Sequence, residues 1–153
     1  MLTAVQIRNA IAGVLKANFP TYKVHYDNVE KATHDYFYVE LAPRRTTVDR
    51  EYYDRSTGID IQLVLLPDKL NRIHRATLYD AIDTLDSAIR PVLQIGDRYI
   101  TIRGNSSVIV DDILHYEFSL DFTDCLPSQE SYELMQELYI NGFKEEMEEL
   151  ENG

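Results

Sequence analysis

Four histidines, one cysteine and a scattered set of aspartates are the residues of this chain whose types could do chemistry. His25, His34, His74 and His115 would suit a metal if two of them stood three or four residues apart on a helix, or faced each other on a hairpin. None has that spacing, so no ligand set is legible. Cys125 has no histidine nearby in sequence and follows an apolar strand pattern, which describes a partly buried structural thiol rather than a nucleophile. Asp111, Asp112, Asp121 and Asp124 could bind a divalent ion or run acid–base catalysis. Asp111-Asp112, however, has the composition of a turn, and Asp121 falls on the polar side of its strand. The isolated glycines form no phosphate-cradling loop, and Gly104-Asn105-Ser106 lacks the second glycine of a nucleophile elbow. The expectation is an absence of catalytic residues, cofactor and metal, with a small metal-dependent hydrolase on the Asp111–Asp124 group as the alternative.

The most unusual stretch is Arg44-Arg45-Thr46-Thr47-Val48-Asp49-Arg50-Glu51-Tyr52-Tyr53-Asp54-Arg55, which puts four Arg, three acids and two Tyr between strands. Arg and Tyr are the types most enriched at interface hot spots. Mixed charge also lets a patch face a second copy of itself without net repulsion. Long loops without regular structure are uncommon unless they function. Arg44, Arg45, Arg50, Tyr52, Tyr53 and Arg55 are therefore the candidate oligomer or partner interface.

Charge narrows the partner. The net charge is −11, and residues 128–153, with eight Glu and one Lys, carry −7 of it. An acidic body with a more acidic end does not suit a nucleic-acid backbone or an anionic membrane surface. No run approaches the roughly 20 apolar residues that span a bilayer. The N-terminus lacks the pattern of a signal peptide, and a single cysteine fits a reducing compartment, so cytoplasmic synthesis is expected. Eleven Tyr and no Trp suit half-buried and interfacial positions. Protein is the partner that remains.

The elements that would position these residues follow from periodicity. Ala4, Ile7, Ile11, Val14 and Leu15 recur at helical spacing from Thr3, a plausible N-cap, until Pro20 stops the helix. Gly13 within it suggests a close approach to a sheet. Strands follow at 22–26, at 37–41 (ended by Pro43) and at 59–65, where apolar residues alternate. A second helix is expected over 69–89, with Leu70, Ile73, Leu78, Ile82, Leu85 and Ile89 inward and Asp80, Asp83 and Asp86 outward. Gly96-Asp97 suits a two-residue hairpin, and strands near 92–95, 99–102, 108–110 and 114–122 complete the pattern. Tyr132, Met135, Leu138 and Tyr139 suggest a third helix over 128–143. The acidic remainder leaves helical extension and disorder both open. The expected fold is α+β: a largely antiparallel sheet with two amphipathic helices on one face, in a domain over 1–127, followed by a C-terminal helix and acidic tail over 128–153.

Several segments taken in order resemble a known family. They are Tyr26-Asp27-Asn28-Val29-Glu30, Phe37-Tyr38-Val39-Glu40-Leu41, and Tyr53-Asp54-Arg55 leading to Ile59-Asp60-Ile61. The hairpin Val110-Asp111-Asp112-Ile113-Leu114-His115-Tyr116-Glu117-Phe118 completes the set. Together they resemble the tail terminators of phages and prophages of Gram-positive bacteria, over most of residues 5–122. Asp112 stands where glycine is expected, and Tyr36 where such strands often begin with proline. The resemblance implies a non-enzymatic subunit forming a ring with copies of itself, typically a hexamer, at the head-proximal end of the virion tail. Its implied partners are the tail tube protein, whose polymerisation it stops, and the head–tail connector protein. Another connector subunit, such as a stopper or minor capsid protein, shares the size and symmetry.

Overall fold

The computed structural model describes residues 2–27 and 31–125. The third helix and acidic tail expected over 128–153 lie outside the described residues. In chain order the elements are α1 (Ala4–Asn18), β1 (Lys23–His25), β2 (Tyr36–Thr47), β3 (Tyr52–Val64), α2 (Arg75–Ile89), β4 (Val92–Ile95), β5 (Arg98–Thr101), β6 (Asn105–Val110) and β7 (Ile113–Cys125). This is the expected α+β order. One sheet runs β1-β2-β3-β7-β6 and is antiparallel except for the short β1–β2 pair, while β4 and β5 form a separate hairpin.

α1 begins where the sequence placed its cap. Thr3 Oγ1 accepts from the Gln6 amide at 3.1 Å, and the Gln6 side chain accepts from the Thr3 amide at 2.9 Å. Two donors that the first turn cannot satisfy internally are thereby paired. Gly13 does not make the expected close approach: among the described residues, a Cβ built there meets nothing within 4 Å. Ala4 is exposed, and the buried stripe is Ile7, Ile11, Ala12 and Leu15.

α2 starts later than its apolar pattern suggests. The Asp68 carboxylate accepts from the amides of Leu70 and Arg72, each at 2.9 Å, and Asn71 takes a left-handed φ of 59°. An aspartate that captures nearby amides holds a turn in place of a helix. Leu70 is accordingly 69% exposed rather than part of the stripe. Asp86 also departs from expectation. It turns toward the core, where it accepts from the Tyr116 hydroxyl at 2.6 Å and from Asn105 at 3.1 Å. Burial and the Asp86 charge push the Tyr116 hydroxyl far above its ordinary pKa.

The core lies on one face of the sheet. Ile7, Ile11 and Leu15 of α1 and Leu78, Leu85 and Ile89 of α2 join Phe37, Val39, Ile59, Ile61, Leu63, Leu114, Tyr116 and Leu120 in one buried cluster, closed by β4 and β5. Each such aliphatic side chain contributes about 1.5–3 kcal/mol by leaving water. Period-two alternation turns Glu40, Asp60, His115 and Glu117 to the opposite face, which neither helix of the described residues covers.

The largest correction concerns the Arg/Tyr stretch. It is a hairpin, not an irregular loop. β2 and β3 stay in register out to Thr47 and Tyr53, and β7 accompanies β3 to the Tyr52–Cys125 pair. Pro43 sits inside β2 instead of ending it. β1 pairs with β2 only at Tyr36–Tyr38, so Pro43 lies on an edge where a missing amide hydrogen breaks no outer ladder.

Candidate functional site

Two neighbouring features of the open sheet face stand out: a projecting arm and a row of acids. The arm is the far part of β2, β3 and β7. Its turn is organised by Asp49, whose Oδ1 accepts from the amides of Glu51 and Tyr52, each at 2.8 Å. Residues 42–52 are all exposed. Arg44, Arg45, Arg50 and Tyr52 thus lie at the surface, and among the described residues none of the three arginines makes an ion pair. Arg45 lies over the Tyr53 ring, 5.3 Å from its centre.

The remaining two candidates are inside. Tyr53 is 6% exposed and Arg55 only 2%. Arg55 donates from Nη1 to the Leu2 carbonyl and to Asp124 Oδ2, and Arg98 donates to Asp124 Oδ1 at 3.1 Å. Asp124 also accepts from the Leu2 and Cys125 amides. Burial pushes its carboxyl upward, but the Cys125 and Leu2 amides and the Arg98 charge outweigh this and leave it below the usual carboxylate pKa. The cluster ties the outer part of the arm, at the level of Arg45 and Thr47, to the N-terminal segment.

At the near end of the arm, register aligns Glu40 with Asp60 and Asp60 with Glu117 across three adjacent strands. Like charges placed directly opposite one another repel. Some relief comes from His115 Nδ1 and Gln62 Nε2, both 3.1 Å from Asp60 Oδ2, while Asp60 Oδ1 has no partner among the described residues. The next row, Ala42, Gly58 and Ser119, carries almost no side-chain bulk. Together the rows form a groove of about 550 Å³ with an acidic wall.

The structure also revises the histidine and aspartate readings. His25 and His34 bring their Nε2 atoms within 3.1 Å, a pairing that nine residues of separation concealed. Asp60, His115 and Glu117 hold potential ligand atoms within 4.8 Å of one another. These are closer gatherings than sequence spacing indicated. The aspartate group, by contrast, disperses. Asp111-Asp112 turns β6 into β7, and Asp124 lies about 40 Å away at the other end of β7, at 3.4 Å per residue. Asp112 faces Arg75 at 3.5 Å, and Asp121 accepts from Ser119. No shared centre forms from these four, so the constellation behind the hydrolase alternative is lost.

The acid row escaped sequence reading because its members are 20 and 57 residues apart and meet only through register. A signal existed in that each is an acid on the polar side of a strongly alternating strand. Among curated proteins nothing matches the sequence. One solved chain is similar at 19% identity and a TM-score of 0.44, with 82% of this chain and 97% of that one covered. A family model described as phage tail terminator protein matches residues 6–132, which take in most of α1 and all of α2, the arm and the acid row. The chain belongs to the phage tail terminator family.

Proposed function

We propose that this phage tail assembly protein acts as a closed ring, typically of six copies, on the head-proximal end of the tail tube. There it stops tube polymerisation and offers the surface to which the head–tail connector binds. Family membership over residues 6–132 carries this reading. The exposed arm supports it, because ring subunits need a surface that reaches beyond their own core. The acidic charge of −11 supports it as well, since DNA passes an acidic lumen without adhering.

The test is to add the purified chain to polymerising subunits of its own tail tube protein and measure tube lengths by electron microscopy. Shortened tubes carrying a ring at one end are expected. Identical length distributions with and without the chain would sink the reading.

A further inference from the structure

We propose that the acid row of one copy, Glu40, Asp60 and Glu117, receives the arginine-bearing arm of a second copy, with Arg44 and Arg50 as the principal donors. This deepens the ring reading and rests on it. The groove carries three acids, and the arm carries Arg44, Arg45 and Arg50 beside Asp49 and Glu51, so the complementarity lies with the arginine side chains and not with the arm's net charge. Among the described residues, His115 and Gln62 are the side chains that relieve the repulsion of the row's three carboxylates. The arm presents guanidinium groups without an ion pair among the described residues. An arginine fork matches a carboxylate in two parallel hydrogen bonds, so the two surfaces fit in chemistry as well as sign.

Within one copy this contact is not made among the described residues. Arg44 lies on the same strand and the same face as Glu40, four residues further toward the tip, or about 13 Å along an extended strand. The paired ribbon of β2, β3 and β7 keeps the arm from folding back. Two other occupants fit less well. One divalent ion would engage Asp60, His115 and Glu117, whose ligand atoms lie within 4.8 Å of one another, and would leave Glu40 out. Strand addition along the free edge of β2 is opposed by Pro43 and by the flanking Arg44 and Arg45, which guard an edge against pairing. Because arm and groove are different surfaces, repetition of the contact runs head to tail, the arrangement from which rings close.

The experiment measures self-association of the full chain by sedimentation velocity over a range of concentration and salt, with circular dichroism to check each fold. Arg44→Glu with Arg50→Glu should weaken association by about tenfold or more, and so should Glu40→Arg with Glu117→Arg. Combining all four reversals should restore association to near the wild-type level. If a reversed pair unfolds, Arg44→Gln and Glu40→Gln replace it, with smaller losses expected in the same direction. Reversals that leave association unchanged, or no recovery in the combined variant, overturn the contact. So does recovery of the arm variant on adding magnesium or zinc alone, which would make the row a cation site. A wild-type chain that is monomeric under all conditions also overturns it, while rings found on tubes would keep the terminator reading intact. Arm-dependent association with unaltered tube growth would do the reverse.

Discussion

Arg55 on β3 and Asp124 on β7 meet with Nη1 3.3 Å from Oδ2, at a point where their side chains are 1% and 0% exposed. Among the described residues Arg55 Nε and Nη2 have no partner, so the pair is held in place without being fully satisfied by them. A buried pair of this kind stabilises less than its charges suggest, yet removing one member strands the other. Asp124→Leu should therefore cost about 3–5 kcal/mol in chemical denaturation. Arg55→Met combined with Asp124→Leu should recover most of that loss. A double variant as unstable as the single one would show that the ionic contact itself is needed.

The same carboxylate sets an acid limit. Its folded pKa lies below the ordinary value, so its contribution is complete above the unfolded carboxylate pKa and is lost as pH falls through the folded one. Stability measured on descent through the acid range should decline in the wild type and decline less steeply in Asp124→Asn. Equal slopes would place the acid sensitivity elsewhere.

His34 gives a second and milder pH dependence. Its removal from water, followed by the Lys23 and His25 charges, lowers its pKa from 6.5. A histidine with a depressed pKa favours the folded state in its neutral form, so its contribution is present above 6.5 and fades as pH falls through the folded pKa. Amide exchange in β1 should quicken across that window. His34→Gln should flatten the change, and an unaltered profile in that variant would exclude the histidine pair as its source.

Two backbone substitutions should stabilise. Asp112 has a φ of 60°, a left-handed value that glycine adopts freely, and its ion pair with Arg75 is exposed. Asp112→Gly should raise stability by about 1 kcal/mol in thermal melts. Gly13 lies inside α1 with open space around its Cβ position. Gly13→Ala should gain a similar amount, about 1 kcal/mol, from helix propensity. A loss at either site would reveal strain or contacts beyond the local backbone.

Much of the fold was legible because the strands alternate cleanly. The inward residues of β3 and β7, such as Ile59, Ile61, Tyr116 and Leu120, follow a period-two pattern, and Thr3 and Gln6 spell out the helix start. Misreadings arose where a residue's local signal depends on its neighbours in space. Pro43 reads as a strand terminator unless β2 is known to be an edge there. The apolar spacing of Leu70 and Ile73 continues that of α2, and only the hydrogen bonds of Asp68 withdraw them from the helix. For the candidate interface, sequence picked out the stretch but not its sides. Arg45 and Arg55 face each other in register, and yet one is exposed while the other is buried against Leu2 and Asp124. The acid row needed three strands in register before it existed at all.

The ribbon that carries Arg44 and Arg50 is the outer end of strands that begin in the core, with no hinge between them. It behaves as a braced beam, tied near its outer end by Arg55 and Asp124 to Leu2 and Arg98. A flexible loop would surrender conformational freedom on docking, whereas a paired strand has already done so on folding. A braced beam also transmits angle. In the arrangement proposed above, each subunit's tilt relative to the next follows from the right-handed twist accumulated along β2 and β3. The number of subunits that closes a circle would then be a property of strand length and twist, and inserting a residue pair in each arm strand would be the way to change it.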